Sequence, residues 1–278
     1  MSSRGVITVL GDNRASQPGL LAEHGLAVWL DLGTRCLLFD TGQTDALLAN
    51  ARQLGLDLGA VDTVVLSHGH YDHCGGLADL LRLAAADVTI YIHRDATQPK
   101  YRQADSGVRY IGMPARCLML LRELGTSLRT VTGLTEIAPD LFLTGEIPRC
   151  HAEEQADEGF RQDAEGRRVD PLRDDQSLFL RTPSGTVVLL GCAHAGVINT
   201  LDHVRHLTDG YPIRAVLGGT HLQSASDERI AWTLDALRQF SIKELYPAHC
   251  TGAKAVAALE AAFPDRCFPC GVGTTLQL

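Results

Sequence analysis

The sequence predicts an α/β protein whose chemistry sits at the carboxyl ends of its strands. Short apolar runs recur at residues 62–66, 187–190, 214–217 and 244–246, with the length and flanking glycines of buried strands. Segments with apolar residues at helical spacing alternate with them. Each of the four runs leads straight into a short stretch carrying histidine. Open α/β sheets bind their ligands at that end of the strands.

In chain order, residues 6–10 read as the first strand, ended by Gly11. Residues 27–32 and 36–40 flank Gly33-Thr34 as the arms of a hairpin. Thr44 is placed to cap a helix carrying Leu47, Leu48, Ala51 and Leu54. The strand at 62–66 enters Ser67-His68-Gly69-His70-Tyr71-Asp72-His73, and a short helix is predicted over 77–85. A strand at 88–92 ends in His93, which reads as a hydrogen-bonded strand-end residue. An insertion of little regularity covers about 95–125, with a helix over 115–124. Its Arg102 and Arg109 read as surface arginines that an anion could meet.

Residues 141–144 form a strand, and a polar stretch over about 146–174 is either a lid or a solvated excursion. Residues 177–180 and 187–190, joined through Pro183-Ser184-Gly185, give a strong hairpin signal. Helices are predicted over 197–207 and 227–240, and a last one runs from Thr251-Gly252 through Ala262. His203 and His206 lie inside the first of these and read as ordinary helix residues. The whole chain, 1–278, reads as one domain.

With 45% hydrophobic residues, 278 residues can bury a substantial core. A net charge of −8 argues against a nucleic-acid backbone as partner, although a metal centre would still attract a small anion. The first six residues lack the apolar region of a signal peptide, and no apolar run approaches the roughly 20 residues needed to span a bilayer. Neither nucleic acid nor membrane is therefore expected as a partner. Eight cysteines without a secretory signal are expected to be reduced thiols in a cytoplasmic protein. Cys267-Phe268-Pro269-Cys270 is a lone Cys-x-x-Cys and reads as packing cysteines.

The stretch from His68 to His73 holds three histidines and an aspartate within six residues. Imidazoles and a carboxylate at this density suit a borderline divalent metal such as zinc. One metal takes about three or four protein ligands, so four in one loop indicate half of a two-metal site, or one metal and a helper. His194, His221 and His249 arrive at the ends of three later strands.

His68-x-His70-x-Asp72-His73 resembles the signature of the metallo-β-lactamase superfamily. Phe39-Asp40-Thr41-Gly42, Gly191-Cys192-Ala193-His194, Gly218-Gly219-Thr220-His221 and Pro247-Ala248-His249-Cys250-Thr251-Gly252 add to the resemblance. Together they are most similar to the subgroup named for the 7,8-dihydropterin-6-methyl-4-(β-D-ribofuranosyl)aminobenzene 5'-phosphate synthases. The resemblance implies a four-layer αββα sandwich and two metals. His68, His70 and His194 would hold the first metal, and Asp72, His73 and His249 the second. Asp40 would support the metal loop from beneath. The superfamily's usual bridging aspartate follows a glycine late in the chain, and here Cys192 follows Gly191. His221 and Asp175 are the candidates to make up the ligand set.

The implied chemistry is hydrolysis by a zinc-activated water, with a pKa near ~7. Two zinc ions are expected, with manganese or iron as alternatives. Asp72 is placed to relay a proton, and His221, if it is not a ligand, to protonate a leaving group. The substrate would be a small anion: a phosphoester, or a pterin-like diphosphate. A second class is a dihydropterin-type synthase that forms a C–N or C–C bond with loss of diphosphate. A third is an iron oxidoreductase on the same scaffold, and a fourth a metal-binding module without catalysis.

Overall fold

A computed structural model describes residues 5–84, 87–123, 127–155 and 159–278. The predicted helix ends at 85 and 124, the insertion's end at 125, and residues 156–158 of the polar stretch lie outside the described residues.

The strands in chain order begin with β1 (Val6–Gly11), β2 (Ala27–Asp31), β3 (Cys36–Phe39), β4 (Val61–Val65) and β5 (Thr89–His93). They continue with β6 (Tyr101–Ala104), β7 (Gly107–Tyr110), β8 (Leu128–Val131), β9 (Thr135–Ala138), β10 (Leu141–Leu143) and β11 (Phe160–Arg161). The last are β12 (Leu178–Thr182), β13 (Gly185–Leu190), β14 (Ile213–Gly219), β15 (Glu244–Ala248) and β16 (Thr275–Gln277). The helices are α1 (Ala46–Gln53), α2 (Tyr71–Cys74), α3 (Leu77–Leu80), α4 (Ala115–Glu123), α5 (Val197–Leu207), α6 (Asp227–Leu237) and α7 (Ala253–Ala262).

The chain forms two compact units. The first comprises Met1–Val131, Glu158–Asp174 and Gly271–Leu278, and the second Thr132–Asp157 and Asp175–Cys270.

In the first unit a sheet runs in the order β16-β1-β2-β3-β4-β5-β8. Pairing is antiparallel from β16 to β3 and parallel from β3 to β8. The predicted hairpin is the β2–β3 pair. Alternation on the pleat turns Leu38, Val64 and Ile90 to one face, where Leu47 and Ala51 of α1, Leu77 and Leu80 of α3, and Cys117 and Leu121 of α4 cover them. Each fully buried side chain of this kind stabilises by about 1.5–3 kcal/mol.

The N-cap of α1 is Asp45, not Thr44. The Thr44 hydroxyl instead accepts from the Ala46 N–H at 3.2 Å while donating to Glu23 at 2.6 Å. The predicted helix over 77–85 is shorter, closing as α3 at Leu80, and a separate helical turn, α2, forms within the histidine loop. The insertion is more regular than expected. β6 and β7 form a hairpin, and β11 from the polar stretch adds to it as a third strand. This hairpin escapes sequence reading because its residues are mostly polar and show no apolar alternation. β16 was likewise not predicted; it is a short strand held by its pairing with β1.

In the second unit the sheet order is β15-β14-β13-β12-β10-β9. β13, β14 and β15 are parallel neighbours. Val197, Leu201 and Val204 of α5, Leu237 of α6 and Leu259 of α7 pack with Val188, Leu190, Val216 and Leu245. α5 has the predicted bounds, whereas α6 ends at Leu237 and leaves Phe240 buried in a turn beyond it. The amino end of α5 receives a carboxylate from the polar stretch. Buried Glu154 accepts from the N–H groups of Ile198 at 3.0 Å and Asn199 at 2.6 Å, and pairs with Arg229 at 2.7 Å.

Among the described residues the cysteines form no disulfide, and no helix is long and apolar enough to cross a membrane.

Candidate metal centre

β4, whose β-branched Val61, Thr63, Val64 and Val65 are buried, lies within the parallel part of its sheet. Its carboxyl end delivers Ser67 to His73, and here the sequence turns from apolar to donor-rich. The rings of His68 and His70 lie 4.5 Å apart and those of His68 and His73 4.2 Å apart. All three are buried. Asp72 places its Oδ2 3.9 Å from Nε2 of His73. Gly69 is required between the first two histidines, because a Cβ there would lie 1.9 Å from the Ala96 carbonyl oxygen.

Burial pushes the His70 imidazole down to about 3, with Lys100 and His73 acting in the same direction. The ring is therefore neutral at physiological pH, the form in which imidazole binds a metal. Three buried imidazoles beside a carboxylate fit a borderline divalent cation. The rings are held by polar neighbours: Ser67 Oγ lies 2.9 Å from Nδ1 of His68, and Nε2 of His68 lies 2.9 Å from Nδ1 of His70.

Asp40 supports the loop. It is fully buried and has φ 59°, a left-handed conformation that few aspartates adopt. Its Oδ1 accepts the Ser67 N–H at 2.7 Å, and its Oδ2 accepts the Ser67 hydroxyl at 2.6 Å and lies 2.6 Å from Nδ1 of His73. A carboxylate on Nδ1 orients the ring and leaves Nε2 for a metal. On this basis Asp40→Asn is expected to weaken metal binding by ~10–100-fold. Competition against a chelator of known affinity checks it, and an unchanged dissociation constant counts against the role.

Asp174 secures the loop from its other side, accepting the Gly69 N–H at 2.8 Å. Its second oxygen pairs with Lys100 at 2.7 Å, and Lys100 reaches Asp170 at 3.1 Å. Burial alone would raise Asp174 and lower Lys100, but their mutual attraction outweighs it, so Asp174 lies below and Lys100 above the ordinary range. Sequence reading missed all three of these residues. It also missed His24, half exposed, whose Nε2 lies 3.1 Å from Oδ2 of Asp72. Phe160 stacks on His70 with 5.3 Å between centroids. Arg102 lies 4.5 Å over Phe160, and Arg109 lies 5.9 Å over Tyr71.

The second unit gathers its own donors. β13, β14 and β15 end side by side, with Leu190 opposite Gly218 and Gly219 opposite Ala248. Beyond those ends come Cys192 and His194, His221, and His249 and Cys250. The rings of His194 and His221 are 4.3 Å apart. His221 and His249 both hold positive φ, at 54° and 49°, as does Ala193 at 52°. Such conformations cost of order 1–3 kcal/mol each and cluster at functional sites. Asp175 is buried, and its Oδ2 accepts the Ala195 N–H at 2.8 Å, fixing the turn that carries His194.

The ligand atoms of Cys192, His221 and Cys250 lie within 4.8 Å of one another. Burial would raise the Cys250 thiol, yet hydrogen bonding with Cys192 and His221 and the nearby His249 draw it well below the usual range. The sequence carried a signal for these thiols, since each cysteine neighbours a histidine at a strand end. Nδ1 of His93 accepts the Asp95 N–H at 3.1 Å.

Residues 21–249 match the metallo-beta-lactamase superfamily. The chain belongs to that superfamily. Its α/β architecture is the metallo-β-lactamase fold. A crystal structure of Tm1679, a metal-dependent hydrolase of the beta-lactamase superfamily, is similar with a TM-score of 0.84 and 33% identity, covering 99% of each chain. An uncharacterized protein of Methanocaldococcus jannaschii is 31% identical over 91% of this chain and 93% of its own length. The same organism's 7,8-dihydropterin-6-methyl-4-(beta-D-ribofuranosyl)-aminobenzene-5'-phosphate synthase is 26% identical over 90% of this chain and 88% of its own.

Proposed function

We propose that this protein is a metal-dependent hydrolase acting on a small anionic substrate, a phosphoester or pterin-like diphosphate, in a cytoplasmic setting. The observation that carries the reading is the buried cluster of His68, His70 and His73 beside Asp72, with His70 held neutral. The likeness to a metal-dependent hydrolase over 99% of both chains supports it. The ligand assignment carried from the superfamily is His68, His70 and His194 for one metal, and Asp72, His73 and His249 for the other. Zinc is the first choice, with manganese or iron as alternatives. Such metals supply Lewis acidity toward a phosphoryl or carbonyl oxygen and make water nucleophilic near neutral pH.

The chain's own residues do the rest. Asp72 accepts the proton of the attacking water and passes it through Oδ2 to Nε2 of His24, 3.1 Å away and half exposed. Arg102 and Arg109, held against Phe160 and Tyr71, supply positive charge to an incoming anion. Gly252 caps α7 without a side chain, so the first N–H groups of that helix suit a phosphate oxygen.

The relationship to the synthase favours a second reading: transfer of a pterin methyl group to an arylamine with loss of diphosphate. Incubation of the zinc-loaded protein with a pterin methyl diphosphate, with and without the amine, separates the two. Free hydroxymethylpterin in both reactions is the expected result. An adduct formed only with the amine overturns hydrolysis in favour of the synthase. Iron in place of zinc on elemental analysis, with neither product, overturns both in favour of redox chemistry.

A further inference from the structure

The first unit sets two like charges side by side where strand pairing makes them repel. In the β6–β7 hairpin Arg102 stands directly opposite Arg109, and Tyr101 opposite Tyr110. Opposed residues of an antiparallel pair share one face, and like charges in that position are destabilising. Alternation on the pleat puts the two arginines on one face and the two tyrosines, 5.3 Å apart between centroids, on the other.

The arginine face is the one turned to the histidine loop. Phe160 of β11 pairs with Arg102 and continues the same row, and its ring stacks on His70 at 5.3 Å with 22° between the planes. The guanidinium carbon of Arg102 lies 4.5 Å over the Phe160 ring, and that of Arg109 lies 5.9 Å over Tyr71. Backbone contacts fix the hairpin to the loop. The Tyr71 N–H donates to the Ile111 carbonyl at 3.0 Å, and His70 forms a bridge with Gly112. Stacking engages the flat face of a guanidinium, whereas a phosphate is recognised along its N–H edge, so a stacked arginine is already oriented for bidentate contact.

We propose that Arg102 and Arg109 form a clamp for a phosphate dianion, and that this is a second phosphate of the substrate, distinct from the group attacked at the histidine loop. A dianion between the two guanidinium groups turns their repulsion into two attractions. Phe160 stands between Arg102 and His70, which separates the clamped phosphate from the reacting one. The substrate class narrows to small molecules that carry a reacting phosphoryl group and a separate terminal phosphate. Which phosphate reacts rests on the hydrolase reading; which residues hold the other rests on the hairpin alone.

Phosphorus NMR titration of the full-length, metal-free protein with methylphosphonate, a dianion whose C–P bond does not hydrolyse, tests the clamp. The wild type is expected to bind one equivalent. Arg102→Gln and Arg109→Gln, checked for retained secondary structure by circular dichroism, should each weaken binding by about tenfold or more. Arg122→Gln, at the exposed end of α4, should leave it unchanged. Arg102→Lys, which keeps the charge but not the planar fork, should fall between wild type and Arg102→Gln. No binding to the wild type, or equal binding by Arg102→Gln/Arg109→Gln, overturns the clamp and leaves the hydrolase reading to be decided by turnover. Absence of turnover in the zinc-loaded protein, with methylphosphonate still bound by the metal-free form, sinks the hydrolase reading and keeps the clamp. With zinc bound, as elemental analysis measures it, the wild type should take up two equivalents and the double variant one. A single equivalent in the zinc-loaded wild type overturns the assignment to a second phosphate.

Discussion

His70→Ala strips the protein of most of its bound metal and of all turnover, while His93→Ala does neither. The two histidines are similarly buried and both stand at strand ends, so burial alone does not separate them. What separates them is the company they keep. His70 packs its ring 4.5 Å from His68 and is held neutral, so no proton competes with a metal. His93 accepts the N–H of Asp95 and caps the turn that follows β5. Losing that cap costs about 1 kcal/mol of stability and no metal. Elemental analysis of the two purified variants checks the prediction, and equal metal in wild type and His70→Ala refutes the site.

The same residue gives the metal-free protein an acid dependence with a definite sign. Unfolded, His70 titrates near 6.5; folded, it is pushed down to about 3. Between those values the unfolded chain binds the extra proton. The stability from keeping this ring neutral is complete above 6.5 and is lost as pH falls toward 3. Metal-free His70→Ala should lose less stability across that window.

Lys100→Met destabilises the protein by about 3–5 kcal/mol at neutral pH, the penalty for leaving buried charge without a partner. Lys100 is 2% exposed, and its ammonium is held between Asp174 and Asp170. Removing it leaves two buried carboxylates facing each other, one of which also holds the Gly69 N–H. The loss should therefore extend to metal affinity. Asp174 lies below the ordinary carboxylate range, so its contribution is present above ~4 and is lost as pH falls through its folded value. Lys100 lies above the ordinary lysine range, so its contribution persists below ~10.4 and is lost as pH rises through its folded value. The deficit of Lys100→Met is accordingly largest between those limits and shrinks in acid. Urea denaturation across pH measures it. Lys100→Met/Asp170→Asn/Asp174→Asn should recover much of the loss, because no buried charge remains unpaired. A single variant within 1 kcal/mol of wild type sinks the argument.

Much of the fold was legible because its strands announce themselves. β13 is buried throughout, β4 and β14 are buried except at Asp62 and Arg214, and α5 has the bounds its apolar spacing predicts. The histidine loop was legible because its donors are adjacent in sequence. The β6–β7 hairpin was not, since Tyr101, Arg102, Arg109 and Tyr110 show no apolar alternation and their order comes from cross-strand pairing. Nor was the Thr44 region, where the Glu23 carboxylate, distant in sequence, accepts from the Thr44 hydroxyl and from the Gln43 and Thr44 N–H groups before α1.

The sequence by itself determined the superfamily, the α/β alternation and the identity of the histidines and Asp72 as candidate ligands, because short-range spacing on a strand end is a local property. Only the tertiary structure decided what supports and tunes them. Lys100 meets its carboxylates 70 and 74 residues downstream, and Asp40 lies 27 residues before Ser67. It also brought Cys192, His221 and Cys250, far apart along the chain, within ligand distance of one another. Those relations are set by which strands pair and in what register, and pairing between distant segments leaves no periodic trace in either one.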